Sequence, residues 1–260
     1  MRPDARWLNL LRQFTARDLR QRWLGSLSGA LWALLQPLFM LAIYAVVFVE
    51  ILKVRLPERV GSDFVLFLVA ALWPWTAFAE ALNRSVNAFP EHAGLLAKVA
   101  LPREVLVLAP ACSAFLVHGL GFLAVLAVLA LIGKPIHVAG LPQATLGFAL
   151  LAIFAIGLSL ALASLQVFVR DLGQALGQFM TLWFFLSPVF YAPEMLPPAI
   201  AEWFAWNPMA AFLGAIRAPL LCTPGAGPAA LLAPTLLAFA ALAAGLWVFR
   251  RLRSHLEDFL

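Results

Sequence analysis

Charge is what this sequence most lacks. Asp, Glu, Lys and Arg make up 12% of the 260 residues, where a soluble domain carries roughly a quarter. With 63% hydrophobic residues and a mean hydropathy of +0.92, the excess cannot be hidden in one globular core, which stops growing near about 250–300 residues. A soluble enzyme is thereby excluded. Cysteine is also scarce. Cys112 falls in an apolar stretch and Cys222 in a loop, so neither a disulfide framework nor a thiolate metal site is expected. There are four histidines, no H-E-x-x-H and no Cys/His cluster, so no metal ligands are expected. No phosphate-binding G-x-x-x-x-G-K-S/T loop occurs, because Gly133-Lys134 runs on into Pro135. Nor is there a complete G-x-S-x-G elbow, since Gly157-Leu158-Ser159 continues into Leu160 and Ala161. No stretch carries the paired carboxylates of an ion-coupled carrier, and no inverted repeat is visible. The chain is expected to hold no cofactor of its own, and energy for uphill work must come from another chain or from coupled ions.

What is present is apolar length. Six stretches approach the ~20 residues that cross a bilayer: Ala30–Ile51, Phe64–Phe89, Val105–Ile132, Ala144–Phe168, Ala175–Tyr191 and Ala229–Phe249. The sequence therefore predicts an all-α integral membrane protein, a single transmembrane domain over 1–260. Six spans put both termini on one side. The opposite loops contain Lys53, Arg55, Arg59, Lys134 and Arg217, only five of the 18 Lys and Arg residues, so the positive-inside bias predicts cytoplasmic termini. The net charge of +5 reads as topology and not as a nucleic-acid footprint.

Residues 1–29 form an arginine-rich arm. Trp7, Leu10, Leu11 and Phe14 recur at i, i+3, i+4, i+7, with Arg6, Arg17 and Arg20 on the other side. That pattern predicts an amphipathic interface helix at Trp7–Trp23, its apolar face in lipid and Arg17, Arg20 and Arg22 toward headgroups. The alternative is a cap packed on another subunit. Residues 193–227 are apolar but cut by seven prolines, from Pro193 to Pro228 at their border. Two helical pieces fit, Pro198–Trp206 and Met209–Leu221, both too short to cross. They read as a re-entrant hairpin on the external face, since irregular backbone at membrane depth must be covered by protein or water. A plain surface loop is the alternative.

Polar stripes mark two spans. The first carries Trp32, Gln36, Phe39, Ile43, Val47 and Glu50; the fifth carries Gln174, Gln178, Thr181, Phe185 and Pro188, with Phe179, Trp183, Phe184, Phe190 and Tyr191 close by. Glutamine has no use against lipid, so these faces are expected to meet protein or a watery path. Ordinary helix packing accounts for such a list as well. In the second span Thr76, Glu80, Asn83, Arg84 and Asn87 share a face, and Glu80 and Arg84 are spaced to pair at the cytoplasmic interface. His118 stands alone in the third span and reads as a packing or hydrogen-bonding residue. Trp73 and Trp75, beside Pro74, read as an interfacial belt. In the loop 90–104, Glu91 to Val99 can form a short helix that Pro102 prevents from continuing, presenting Leu95 and Leu96 to a partner.

Several segments, in order along nearly the whole chain, resemble the polysaccharide-exporting ABC permeases. They are Arg17-Asp18-Leu19-Arg20-Gln21-Arg22 with Gly29, Trp32 and Gln36-Pro37-Leu38, then Leu72-Trp73-Pro74-Trp75-Thr76, Asn83-Arg84-Ser85-Val86-Asn87 and Ala93-Gly94-Leu95. Leu101-Pro102-Arg103-Glu104, Val167-Phe168-Val169-Arg170-Asp171-Leu172, Phe185-Leu186-Ser187-Pro188-Val189-Phe190-Tyr191, Met195-Leu196-Pro197 and Trp206-Asn207-Pro208-Met209 follow. The likeness is strongest to O-antigen exporter permeases, with teichoic acid and capsule exporters as relatives. It implies a type-2 ABC exporter fold, a homodimer bound to two copies of a separate ATPase subunit that holds ATP and Mg, and a bacterial inner-membrane location.

By the same resemblance the first and fifth spans of both copies line the channel, with Trp32, Gln36, Phe39, Ile43, Gln178, Thr181, Phe185 and Tyr191 as candidates. Glu91, His92, Leu95, Leu96, Lys98 and Arg103 would couple to the ATPase. The hairpin would be the external gate, with Trp203 and Trp206 as its large aromatics. The expected cargo is a lipid-linked polysaccharide carried on undecaprenyl diphosphate, moved from cytoplasm to periplasm. Two other readings stand beside this one: a drug or lipid exporter of the same fold, and an intramembrane transferase, against which the missing catalytic cluster counts.

Overall fold

The computed structural model describes residues 5–23, 35, 38–54, 56–57, 63–96, 98 and 101–255. Trp32, Gln36, Arg55 and Arg59 lie outside the described residues. Among those described, helix is the regular secondary structure and there is no strand. The helices are α1 (Ala5–Trp23), α2 (Leu38–Ile51), α3 (Phe64–Ser85), α4 (Ala88–Glu91), α5 (Ala93–Leu96), α6 (Arg103–Leu131), α7 (Leu141–Gln166), α8 (Leu172–Leu186), α9 (Pro198–Ala205), α10 (Pro208–Leu221) and α11 (Leu232–Leu252). Among the described residues, four helical stretches are long and apolar enough to cross a membrane: Phe64–Ser85, Arg103–Leu131, Val138–Gln166 and Pro228–Leu252. Leu38–Ile51 and Pro208–Leu221 are shorter apolar helices.

The bundle is built around α3, which is buried on nearly every side. Its start is fixed by Asp63, which accepts a hydrogen bond from Leu66 N at 2.9 Å and pairs with Lys134 Nζ at 2.6 Å beyond the end of α6. Pro74 removes one N–H from the helix ladder, yet α3 continues through it. Neighbouring helices surround this turn, so Trp73 and Trp75 are buried at 1% and 4% exposure. That corrects their reading as an interfacial belt. In this chain the Trp-Pro-Trp segment is core.

Helix α10 packs against α3 and α7 with Met209, Phe212, Leu213 and Ile216 fully buried. Its Arg217, taken from the sequence as an external loop cation, lies inside the helix and is itself buried. The expected fifth span, Ala175–Tyr191, is helical only as far as Leu186. Ser187 adopts an extended conformation ahead of Pro188, as the proline ring demands. With 15 residues, α8 is about 22 Å long, short of a hydrocarbon core of about 30 Å. The second expected span likewise stops early: α3 ends at Ser85 and the short α4 follows.

Helices α7 and α11 approach most closely where Gly157 and Gly245 face one another. A Cβ on Gly245 would collide with the Gly157 carbonyl, and one on Gly157 with the Ala241–Leu242 backbone. Without a hydrophobic drive between helices in lipid, such close backbone contact is what holds them. Gly245→Ala is expected to destabilise the protein by about 1–3 kcal/mol through overpacking. Gly214→Ala, where nothing lies within 4 Å, is expected to be neutral or stabilising by up to about 1 kcal/mol. Thermal melting of the two variants in detergent checks the contrast.

Candidate functional site

Three regions collect the candidate residues. The first is the open face of α2 and α8. Phe39 and Ile43 are exposed on α2, and Gln178, Thr181 and Phe185 are exposed on α8. Of α8 only Leu176 and Met180 are buried. The opposite sides of both helices meet in an aromatic layer whose fifth-span rings the sequence reading named and whose α2 members, Tyr44 and Phe48, it did not. Tyr44 packs edge-on to Phe190 at 4.7 Å, Phe48 stacks on Phe190 at 5.1 Å, and Phe184 lies 5.5 Å from Trp75. Tyr44 and Phe48 sit one helical turn apart on α2, so their spacing was the available signal. Edge-to-face rings are favourable by about 0.5–1.5 kcal/mol beyond area burial. Tyr191 is half-buried, packs on Phe204 at 5.8 Å and donates its hydroxyl to Phe185 O at 3.4 Å.

Beyond α8 the chain loses helical hydrogen bonding, and its carbonyls are met by side chains. Asn207 donates Nδ2 to Leu186 O at 2.9 Å, caps α10 by accepting from Met209 N at 3.0 Å, and accepts from Trp183 Nε1 at 2.9 Å. Arg217 Nη2 donates to Pro188 O at 2.8 Å and Val189 O at 3.2 Å, with its guanidinium 3.6 Å from the centre of the Phe67 ring. Trp203 and Trp206 lie on and just after α9, at 80% and 86% exposure.

The second region is a cavity of about 720 Å³ between α2, α3, α6 and α8, well within the 300–1,000 Å³ of small-molecule sites. Tyr44, Trp75, Thr181 and Phe184 supply its aromatic and apolar wall, and Arg22, Glu80, Arg84 and His118 its polar end. Arg22 Nη2 lies 2.5 Å from Glu80 Oε1, and His118 Nε2 lies 2.6 Å from Glu80 Oε2. Arg84 grips Asp18 through two bonds of 2.6 and 3.0 Å, and lies 3.6 Å from Glu80. The Glu80–Arg84 spacing thus marks one edge of a larger network. The sequence reading missed Asp18, although its i,i+4 relation to Arg22 (3.5 Å) was available.

This network corrects the account of α1. Arg17 and Arg20 are exposed, but Arg22 points into the protein instead of toward headgroups. Burial lowers its pKa from the usual arginine range, with Arg84 adding to that shift and Glu80 and Asp18 opposing it. The apolar stripe of α1 packs on α6 instead of lying open to lipid, and Trp7 Nε1 donates to Glu104 at 3.2 Å.

The third region is the loop after α3. In place of one helix from Glu91 to Val99 there are two single turns, α4 and α5, broken at His92. His92 has left the helical region and closes α4 by donating Nδ1–H to Ala88 O at 2.9 Å. Glu91 and Lys98 are exposed. Leu95 and Leu96 are half-buried, Leu96 against the cluster containing Phe89 and Phe249. Arg103 donates to the Arg253 carbonyl, which brings the start of α6 and the end of α11 to the same end of the bundle as α1. No group of three or more metal-ligating side chains occurs among the described residues.

Among the described residues the site is an open amide-and-aromatic face on a bundle of apolar helices. The chain belongs to the ABC-2 type transporter family, whose sequence profile matches residues 9–221. It is a multi-pass membrane permease of the ABC transporter class. It is 30% identical over 212 residues to the O-antigen export system permease protein RfbA of Klebsiella pneumoniae, covering 79% of this chain and 77% of that protein. A Myxococcus xanthus protein of the same name is 26% identical over 226 residues, covering 84% and 82%. The polysialic acid transport protein KpsM of Escherichia coli is 23% identical over 193 residues, covering 74% of each chain.

Arg217→Met removes the donor to two carbonyls that have no other bonded partner described. Each lost bond to a charged donor costs about 1.5–3 kcal/mol. The variant is expected to melt lower in detergent and to expose the 187–190 segment to protease, which limited proteolysis would read directly.

Proposed function

We propose that this chain is the channel-forming permease of an ATP-driven exporter that moves a lipid-linked polysaccharide, O-antigen-like and carried on undecaprenyl diphosphate, from cytoplasm to periplasm. The observation that carries this reading is the open face of α8, where Gln178, Thr181 and Phe185 are left without cover in a single subunit. A lipid-facing helix gains nothing from a glutamine, whereas a glycan path uses both amides and flat rings. The names of the relatives, O-antigen export permeases and a polysialic acid transport protein, support the same cargo class.

In this reading two copies of the chain face one another across α2 and α8. Each contributes six spans, with Leu38–Ile51 completing the first and α8 with its flanks the fifth. Both termini are cytoplasmic and the membrane is the bacterial inner membrane. Two copies of an ABC ATPase dock against α1, α4 and α5, where Glu91, His92, Leu95, Leu96, Lys98 and Arg103 gather. ATP and Mg bind to that partner and not to this chain. Helices α9 and α10 form the external re-entrant gate, with Trp203 and Trp206 at its surface. The lipid diphosphate enters beside the exposed Arg17 and Arg20, and the glycan follows between the paired α2 and α8 faces. Capsule or teichoic acid export is the second reading; the likeness to a polysialic acid transport protein favours a polysaccharide cargo other than O-antigen.

Deleting the gene is expected to remove the surface polysaccharide while lipid-linked glycan accumulates inside the cell. Measuring both pools in the same strain checks the direction as well as the cargo. Unchanged surface and internal pools would contradict the proposal and turn attention to a small-molecule or lipid cargo.

A further inference from the structure

Besides its packing on α6, helix α1 is tied to the bundle by side-chain bonds near both ends. Near its start Trp7 donates to Glu104 of α6, and eleven residues later Asp18 is gripped by Arg84 of α3. That interval is about 16 Å of helix, so α1 can neither slide nor pivot freely without breaking one attachment. The second attachment is the stronger. Arg84 engages Asp18 with both arms of its guanidinium, a geometry that fixes angle as well as distance. Arg22, one turn on, reaches Glu80, one turn back on α3, and His118 of α6 holds the other oxygen of Glu80. The side chains of Asp18 and Arg22 are 17% and 14% exposed. Arg84 and Glu80 are more open, at 31% and 32% exposure, so the network is partly sheltered from the screening that weakens surface ion pairs.

Two features make this more than an anchor. The charges close on themselves, two carboxylates against two guanidiniums, so Arg22 and Arg84 are committed to protein partners and are not held open for a passing anion. The same turn of α3 also forms the polar end of the cavity whose far wall is α2 and α8. A load applied to the exposed face of α1 is therefore delivered to the cavity wall through Asp18–Arg84 and Arg22–Glu80.

We infer that this four-charge network is the coupling joint of the exporter: Asp18, Arg22, Glu80 and Arg84 are positioning residues that transmit displacement of α1 to α3 and so to the α2–α8 path. The inference rests on the proposed reading that an ATPase acts on α1. A joint of this kind must stay closed while the subunit moves. Its loss leaves a partner that still hydrolyses ATP and a path that no longer responds.

The test compares strains lacking the chromosomal gene and carrying wild type, Asp18→Asn, Arg84→Gln or the double variant, each tagged. Surface polysaccharide reports export, and ATP hydrolysis by the affinity-purified complex reports the motor. Each single variant is expected to lower export about tenfold, within the range of ordinary coupling free energies, while hydrolysis per complex is retained. The double variant is expected to export no less than the weaker single, because both changes break one joint. Full export by Asp18→Asn overturns the inference, and so does a parallel fall of export and hydrolysis, since that marks a docking or folding defect. A multiplicative loss in the double variant overturns it as well. Should Asp18→Asn fail to accumulate in the membrane, Arg84→Lys, which keeps the charge and loses the fork, is measured by the same pair of readouts and judged by the same criteria. If the empty deletion strain already shows unchanged polysaccharide, the proposed function has failed. If deletion removes polysaccharide and Asp18→Asn restores it fully, the joint alone has failed.

Discussion

In hydrocarbon, a backbone carbonyl that leaves a helix must find a donor inside the protein, because no water is there to supply one. The helical stretch ending at Leu186 meets that constraint head-on. It is too short to cross, and Pro188 stops it from continuing. The break is tolerated because α10 turns back alongside and offers Asn207 to Leu186 O and Arg217 to Pro188 O and Val189 O. Burying a guanidinium is expensive, and here two carbonyls and the face of Phe67 offset part of that cost while Arg217 Nε is left without a hydrogen bond. Much of the molecule is arranged so that α10 can be there. Phe212 and Ile216 fill the space against α3 and α7, and Gly157 and Gly245 let α11 close behind α7.

The opposite end of the bundle is governed by charge. Asp18, Arg22, Glu80, Arg84 and His118 come from three helices and pair with one another beside the cavity. Breaking one member of such a set is costly because it strands the other charge away from water. The two ends therefore differ in kind. One fixes irregular backbone with neutral and cationic donors, and the other binds a surface helix to the bundle with paired ions. Between them lies the aromatic layer of α2, α3 and α8, with an open face that a single subunit does not cover.

Much of the architecture was legible because hydropathy and proline are local signals. The apolar runs that become α6, α7 and α11 and the two helices that begin near Pro198 and Pro208 could be read from composition and spacing, whereas the fifth span was read through Pro188, where the helix in fact stops. The polar, aromatic side of α8 was visible at helical period. What could not be read depends on partners distant in sequence. Trp73 and Trp75 look like belt residues until α10 and α8 are seen around them. Arg22 looks like a headgroup ligand until Glu80, far along the chain, is found beside it. Arg217 looks like loop charge because nothing local announces the carbonyls it caps. Failure to form one helix over Glu91–Val99 is a local matter: His92 prefers to close α4, and no periodicity count weighs that side-chain bond.

The central claim is that the exposed α8 face borders the path of a glycan. A photo-crosslinking residue placed at Phe185, with a second chain carrying it at Trp247 on the exposed side of α11 as the reference, tests this in actively exporting cells. The account predicts that crosslinks at position 185 capture lipid-linked polysaccharide and that those at 247 capture membrane lipid alone. Equal capture of ordinary lipid at both positions, with no glycan at 185, would contradict it.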